Sequence, residues 1–353
     1  MEPLLTLPNV LAAITLVSLT AYVLLGGADF GGGVWDLCAF GPRCDRQREL
    51  VAEAIGPIWE ANHVWLVLVV VLLFTCFPPA FSGLSIVLHI PLALMLIGIV
   101  LRGSAFTFRT YGGEHVARQR QWGHVFAVAS VATPILLGIS IGAIASEGAG
   151  LAIARVHETP PPASFTTLFI TPWLTPFAVG VGVLTLALFA FLAAVYLTVE
   201  APDAELREDF RRRALVAALV VFVLAFGVLL IAHFTAPRVG AGLTSSPWAI
   251  PLHAATGLAA IAAIVALWER RFRLARVAAA AQVTLILWGW ALAQYPYLVP
   301  PTLTIRSAAA PTRTLELALW ALAIGAVVLF PSLAYLFRLF KGRGRAAAFE
   351  AVE

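Results

Sequence analysis

Long apolar runs separated by short polar segments dominate the hydrophobic pattern of this chain. Each of nine runs is long enough to span a hydrocarbon core of about 30 Å at 1.5 Å per helical residue. We predict membrane helices over residues 9–28, 57–77, 81–101, 124–145, 173–198, 214–234, 248–268, 276–296 and 315–337. Because no connector is long enough for a soluble domain, the pattern predicts a single all-α transmembrane domain.

Composition supports a membrane location. The 353 residues are 61% hydrophobic and 12% charged, whereas soluble domains are about 25% charged and about 45–50% apolar. The first apolar run has no basic leader and no small-residue cleavage site, so we expect a retained helix rather than a signal peptide. Cys38, Cys44 and Cys76 lack metal-ligand spacing and form an odd set, so neither a zinc site nor a disulfide framework is expected.

The basic residues predict the orientation of the chain. Nineteen of the 23 lie after the first, third, fifth and seventh helices or in the C-terminal tail. The other four are Arg155, Arg238, Arg306 and Arg313. By the positive-inside rule the N-terminus is outside and the C-terminus is cytoplasmic. Arginine-rich connectors in such a chain indicate topology, and no nucleic-acid partner is expected.

A faint internal repeat predicts two related units. The segment 21–24 (AYVL) resembles 194–197 (AVYL), and each precedes an acidic residue and an arginine-rich connector. We therefore expect two related four-helix bundles in the same orientation, a peripheral ninth helix and a cytoplasmic tail. Their bounds are 1–146, 173–297, 315–337 and 338–353. The proline-rich connectors 146–172 and 298–313 are expected to be ordered surface loops.

Ionisable side chains at the start of the second helix are the first candidate for chemistry. A carboxylate inside a membrane helix costs about 2.5–3.5 kcal/mol, so Glu60 needs a compensating role or partner. Glu53, Glu60 and His63 are spaced by seven and then three residues, which predicts one helical face. Such a line of titratable groups is typical of a proton entry path. The alternative is that Glu60 pairs with Arg102 and only fixes helix packing.

Asp29 lies in a glycine-rich stretch, residues 26–33. The glycines either let the chain turn at the helix end or let another helix approach closely. Without a preceding strand or a following lysine, a phosphate-binding loop is not indicated. The predicted topology places Asp29, Glu60 and Arg102 at similar depth on the cytoplasmic side, where they could meet. Asp29 either accepts hydrogen bonds from loop amides or extends the proton path.

Three histidines in or near apolar segments raise the question of haem ligation. His89, His233 and His253 belong to different predicted helices and form no axial-ligand pattern. Packing or interfacial roles are therefore the favoured interpretation. Trp288 and Trp290 close the eighth helix on the outer side, as aromatic residues of a membrane-interface belt do.

Several blocks in order along the chain resemble subunit II of the cytochrome bd family of quinol oxidases, including its cyanide-insensitive branch. The blocks are GGADFGGG (26–33), IGPIWEANHVWL (55–66), FPPAFSGL (77–84), LRGSAFTFR (101–109), AVYLTVE (194–200) and WGWALAQYPYLVPPTLTI (288–305). The resemblance covers nearly the whole chain. It implies a nine-helix membrane subunit that is paired with a similar subunit I.

The resemblance also implies the activity and its cofactors. Subunit I would carry two b-type haems and one d-type haem, and this chain would hold none. The complex would oxidise quinol and reduce dioxygen to water in the bacterial cytoplasmic (inner) membrane, taking protons from the cytoplasm. A small accessory single-helix subunit, membrane lipid and a bound quinone are further partners that the family allows.

The family pattern transfers to individual residues. Its acid in the W-D/E-x-N block corresponds to Glu60, its Asp in the glycine block to Asp29, and its Arg in L-R-G/P to Arg102. The resemblance thus implies that Glu60 is the central relay of a proton path, Asp29 its entrance and Arg102 the charge that tunes Glu60. The expected lipid or quinone contacts are Trp59, Asn62, Trp65 and Gln294.

The chain departs from the family pattern at three places. W-E-A-N replaces the usual W-D-G-N, His63 replaces a Gln or Glu, and Thr107 replaces a common Glu in F-E-F-R. We hypothesise that His63 and Glu53 offset the carboxylate missing at Thr107.

Two alternatives remain at this point. One is a proton-coupled secondary transporter that uses Glu60, which an inverted repeat would favour. The other is a purely structural subunit.

Overall fold

The chain folds into fourteen helices and one short hairpin in the computed structural model, which describes residues 5–56, 59–111, 116–156 and 164–341. The helices are α1 (Leu7–Leu37), α2 (Cys44–Ile55), α3 (Trp59–Cys76), α4 (Pro78–Val87), α5 (His89–Tyr111), α6 (Val116–Ala145), α7 (Gly148–Val156), α8 (Phe165–Phe169), α9 (Pro176–Glu200), α10 (Ala204–Thr235), α11 (Pro237–Ser245), α12 (Ala249–Trp268), α13 (Phe272–Gln294) and α14 (Thr312–Lys341). Strands β1 (Tyr297–Val299) and β2 (Leu303–Thr304) pair antiparallel.

Nine helices in the described part of the chain are long and apolar enough to cross a membrane. They are α1, α3, α5, α6, α9, α10, α12, α13 and α14. This confirms the predicted all-helical class and the predicted number of spans. Two predicted segments, the tail beyond residue 341 and the prolines at 160–162, lie outside the described residues.

The third span begins later than predicted. The expected helix 81–101 is two helices, because α4 ends at Val87 and α5 begins at His89. Pro91 has no N–H to donate to the carbonyl four residues earlier, and its ring clashes with that carbonyl. Since that carbonyl belongs to Val87, the proline accounts for the break, and it occupies the first turn of α5, where proline is tolerated.

The glycine-rich stretch lies inside α1 rather than at its end. The prediction that the first helix ends near residue 28 is wrong, because α1 continues to Leu37. A Cβ atom on Gly31 would lie 1.9 Å from the backbone oxygen of Phe189, and one on Gly33 would lie 2.2 Å from Ser130 Oγ. The glycines therefore let α9 and α6 approach α1 closely.

Helices α6 and α9 form the centre of the molecule. In the most apolar stretch of each of these two helices, 61% of the residues are buried inside the protein. In the most apolar stretch of α14, none are. Helix α9 packs against α1, α6, α10 and α13, and α14 packs against α3 and α1 from outside. The core around α9 includes Tyr22, Phe30, Phe189 and Phe191.

Ion pairs join the arginine-rich connectors on one side of the molecule. Arg43, between α1 and α2, forms two hydrogen bonds of 2.9 and 2.7 Å with the carboxylate of Asp209 in the first turns of α10. Arg46 pairs with Asp203 at the start of the same helix. Arg270, between α12 and α13, lies 3.6 Å from Glu208. Connectors predicted to share one side of the membrane therefore contact one another.

The opposite connectors also contact one another. Arg238, after α10, pairs with Glu147, after α6, at 2.6 Å. Its guanidinium also lies 4.6 Å from the ring centroid of Tyr297 in β1. The hairpin thus closes the other end of the helices.

Candidate functional site

Asp29 is buried on α1 and receives a hydrogen bond from the next membrane helix. The side-chain amide of Asn62 in α3 donates to its carboxylate at 2.6 Å. Asp29 is 5% and Asn62 1% exposed. A hydrogen bond to a charged acceptor contributes about 1.5–3 kcal/mol. Asp29 lies within α1 rather than in a loop at its end, and its carboxylate accepts from a side chain of α3.

Arg102 of α5 completes a buried charged cluster with Asp29. Its side chain is 2% exposed, and its charge interacts with Asp29 and with Tyr22. The guanidinium carbon lies 4.6 Å from the ring centroid of Phe30 and 5.3 Å from that of Phe126. Among the described residues neither Nε nor Nη2 has a hydrogen-bond partner. A buried guanidinium with free donors is costly to maintain, which is typical of functional intramembrane charges.

His63 lies against the same cluster, one residue after Asn62. Its ring centroid is 5.8 Å from that of Tyr22, 6.0 Å from that of Phe30 and 6.1 Å from that of Trp59. Its buried Nδ1 has no hydrogen-bond partner within the described ranges. The aromatic rings therefore surround an imidazole next to the buried Asp29–Arg102 cluster.

Glu60 does not join this cluster. Its side chain is exposed on the surface of the chain, in the first turn of α3. The carboxylate that interacts with the charge of Arg102 is that of Asp29. The expected pairing of Glu60 with Arg102 is therefore wrong, because residues 60 and 62 point to different sides of a helix with 3.6 residues per turn.

Glu53 lies on a different helix from Glu60. Helix α2 ends at Ile55 and α3 begins at Trp59, so a spacing of seven residues no longer places both acids on one face. The predicted face is therefore wrong. Glu53 is exposed on α2, while His63 is in the cluster.

The residues expected to contact quinone or lipid occupy separate places. Trp59 packs on Phe106, with ring centroids 6.4 Å apart, and Trp65 packs against the central core. Gln294 is buried at the end of α13, where its amide donates to the Leu298 carbonyl oxygen at 2.9 Å. Gln294 thus fixes the hairpin, at the far end of the molecule from the charged cluster.

Two residues of α1 belong to the site and were missed in the sequence. Tyr22 is 1% exposed and Asp36 5% exposed. Both are seven residues from Asp29, so the three side chains follow one stripe of α1. The spacing was visible in the sequence, but its meaning depended on α1 continuing past residue 28.

Asp36 pairs with Arg109 at the ends of α1 and α5. Nη1 of Arg109 lies 2.9 Å from both carboxylate oxygens. A cavity of about 10 Å³ adjoins the pair, lined by Asp36, Val51, Ala52, Phe106, Arg109 and Phe126. A cavity of this size accommodates about one water molecule. Phe126 lines the cavity, and its ring centroid also lies 5.3 Å from the Arg102 guanidinium carbon, so the cavity adjoins the buried cluster.

The histidines considered as haem ligands have other contacts. His89 Nδ1 is hydrogen-bonded to the Ile86 carbonyl oxygen at 2.8 Å, and His253 Nε2 to that of Leu243 at 2.7 Å. The His233 ring meets Phe234 edge-on. Within the described residues, His, Cys, Asp and Glu side chains form no group of three that could hold a metal ion.

Comparison with known proteins assigns the family. The family model described as "Cytochrome bd terminal oxidase subunit II" matches residues 7–340, nearly the whole chain. The chain belongs to this family. It is therefore an integral membrane subunit of a cytochrome bd quinol oxidase, a component of an oxidoreductase complex. Membership favours the oxidase over the transporter considered from the sequence.

Individual relatives agree with the family match. The chain is 22% identical over 331 residues to a putative cytochrome bd menaquinol oxidase subunit II of Bacillus subtilis, covering 90% of this chain and 91% of the relative. It is 26% identical over 207 residues to cytochrome bd-I ubiquinol oxidase subunit 2 of Escherichia coli, covering 59% and 52%. A chain of the bd oxidase structure from Geobacillus thermodenitrificans shares the fold, with a TM-score of 0.71, 22% identity and 95% and 99% coverage.

Proposed function

We propose that this chain pairs with a haem-bearing subunit I and supplies the cytoplasmic proton inlet for reduction of dioxygen to water. The observation that carries this proposal is the buried Asp29 carboxylate, which contacts Asn62 and faces the charge of Arg102. A buried carboxylate and a buried guanidinium are expensive in a membrane, and such ionisable residues mark functional pathways, proton relays among them.

The stripe on α1 gives the inlet its direction. Asp36 lies at the end of α1 that adjoins the arginine-rich connectors, and Arg48 of the first connector reaches its backbone oxygen at 3.4 Å. Seven helical residues correspond to about 10 Å, so Asp36, Asp29 and Tyr22 mark steps of that length. Transfer over such steps requires intervening water, and the cavity beside Asp36 has room for about one molecule. Protons would enter at Asp36 and reach Asp29.

Glu60 and His63 would carry protons onward from Asp29. His63 lies at the cluster, and Glu60 precedes it by three residues on the exposed face of α3. Because Glu60 is exposed on the isolated chain, its role would be to pass protons across the contact with subunit I. Glu53, exposed on α2, would act as a collector at the surface.

The orientation and the internal repeat are part of this proposal. The arginine-rich connectors would face the cytoplasm, with the N-terminus outside. The two four-helix units would be 1–146 and 173–297. Their first membrane helices, α1 and α9, pack together.

The partners follow the family. Two b-type haems and one d-type haem would reside in subunit I and supply the redox chemistry, while this chain handles protons. Named relatives are a menaquinol and a ubiquinol oxidase, so the substrate would be a quinol. The complex would reside in the bacterial inner membrane with bound lipid, and a small accessory subunit fits the same assembly.

Two isosteric variants test the inlet in the purified complex. Glu60→Gln, which alters an exposed side chain, and Asp29→Asn should each lower quinol-oxidase turnover at least tenfold with the haem spectrum retained. Proton uptake per dioxygen should slow in parallel. Glu316→Gln, an exposed acid on α14, is the control. Wild-type turnover in both variants would show that neither Asp29 nor Glu60 carries protons for the reaction.

A further inference from the structure

A groove between α10 and the α12–α13 turn lies outside the proton inlet. Its volume is about 250 Å³, and it is lined by Arg211, Leu215, Trp268 and Arg270. Two of these four residues are arginines and two are large apolar residues. The groove therefore combines a cationic wall with an apolar one.

The cationic wall carries more positive charge than its own acid neutralises. The Glu208 carboxylate accepts hydrogen bonds of 2.8 and 2.6 Å from Arg211. Arg212 Nε reaches the same carboxylate at 3.3 Å, and Arg270 Nη2 lies 3.6 Å from it. Three guanidinium groups thus share one carboxylate, which leaves an excess of two positive charges. Each guanidinium has five N–H donors, so donors remain for an anion.

Arg270 occupies a position that normally requires glycine. Helix α12 ends with the Glu269 amide bonded to the Val265 carbonyl and the Arg271 amide bonded to that of Ala266. Between them Arg270 has φ of 58°, the left-handed conformation. Glycine is preferred at this C-terminal position because other side chains cost strain there. Arg270 therefore holds its place at a cost in backbone strain, which directs attention to its guanidinium.

The apolar wall continues into the membrane span. Val216 and Leu219 on α10 are 62% and 63% exposed, and Trp268 at the end of α12 is 72% exposed. Ile264 and Val265, one turn earlier on α12, are also exposed. Tryptophan at a helix end is typical of the headgroup level of a bilayer. The cationic end of the groove therefore lies where headgroups lie, with acyl-chain surface beside it.

We propose that this groove binds an anionic phospholipid. The headgroup phosphate accepts hydrogen bonds from the donors of Arg211 and Arg270 that Glu208 leaves free. The acyl chains lie along the exposed side chains of α10 and α12. Charge complementarity selects an anionic lipid over a zwitterionic one, and the apolar surface selects a lipid over free phosphate.

Binding can be measured on the complete oxidase complex. After detergent exchange, the complex is titrated with phosphatidylglycerol or phosphatidylcholine, and bound lipid is counted by native mass spectrometry. The wild-type complex should bind phosphatidylglycerol at least fivefold more tightly than phosphatidylcholine. Arg270→Gly and Arg211→Ala should each weaken that binding about fivefold, the effect of one basic side chain at a bilayer surface.

Control variants and a competing ligand separate lipid binding from a change in the fold. Arg270→Gly keeps the fold, because glycine suits the left-handed conformation. Glu208→Gln should tighten binding, whereas Arg313→Ala, an exposed arginine at the start of α14, should leave it unchanged. The proposal is overturned if Arg270→Gly and Arg211→Ala bind like wild type, if phosphatidylcholine binds equally well, or if millimolar inorganic phosphate displaces the lipid.

Discussion

The Asn62 side-chain amide donates a 2.6 Å hydrogen bond to the carboxylate of Asp29 and so joins α3 to α1 inside the membrane domain. Both side chains are almost fully buried. In an apolar interior, water cannot replace a hydrogen-bond donor that a carboxylate loses, so the loss raises the free energy of the folded state. Asn62 thus joins the two helices and also stabilises the buried carboxylate of Asp29.

Asn62→Ala should destabilise the complex by about 1–3 kcal/mol, the cost of removing a buried hydrogen bond to a charged acceptor. Thermal unfolding of the purified complex measures the effect as a lower Tm. Thr256→Ala is the control, because the Thr256 hydroxyl donates to the Leu252 carbonyl oxygen within its own helix. Equal Tm values for the two variants would contradict the assigned role of Asn62.

Gly31→Ala should prevent normal packing of α1 on α9. The added methyl group would lie 1.9 Å from the Phe189 carbonyl oxygen, which the backbone can relieve only by moving apart. We expect a loss of about 3 kcal/mol or more, at the upper end of overpacking costs.

Gly227→Ala is the matched control for that variant, because a Cβ there meets no atom within 4 Å. It should leave stability unchanged or raise it by up to about 1 kcal/mol, since alanine is the better helix former. Expression and Tm of the two variants measure the difference. If Gly31→Ala behaves like Gly227→Ala, the close approach of α1 and α9 is wrong.

Asp36→Asn should lower stability by about 1.5–3 kcal/mol, because the half-buried Arg109 loses its charged acceptor. Glu316→Gln breaks an exposed pair with Arg313 and should cost at most about 1 kcal/mol. Because Asp36 also lines the proposed entrance, turnover of Asp36→Asn should fall as well. A variant with lower Tm but normal turnover would restrict Asp36 to a structural role.

His63→Phe separates packing from proton exchange in the cluster. Phenylalanine preserves the ring contacts with Tyr22, Phe30 and Trp59 but has no nitrogen to carry a proton. We expect lower turnover and slower proton uptake with unchanged Tm, and a smaller loss for His63→Gln, which keeps polar atoms there. Glu53→Gln should slow proton uptake less than His63→Phe does, because Glu53 is an exposed collector on α2 and lies outside the cluster. Normal uptake in His63→Phe would limit His63 to packing.

The sequence indicated which residues of α1 and α5 to examine, but not how they pair. Asp29 and Arg102 were expected to lie at one depth, and the structure brings their charges together. Glu60 was expected as the partner of Arg102, yet Asn62, two residues later, points inward instead. On a helix that is apolar nearly all round, such as α3, the side facing the core is not encoded in the pattern and depends on which neighbours pack against it.

Apolar run length alone determined the nine spans, because a bilayer of fixed thickness demands helices of fixed minimum length. The end of α1 required the tertiary structure. A run of glycines is compatible with both a turn and a helix. Here α9 packs closely on Gly31 and α6 on Gly33, and these contacts stabilise the helix. Once α1 continues to Leu37, Tyr22, Asp29 and Asp36 fall on one stripe. The chemistry-bearing residues were therefore present in the sequence, and the packing of helices decided which of them meet.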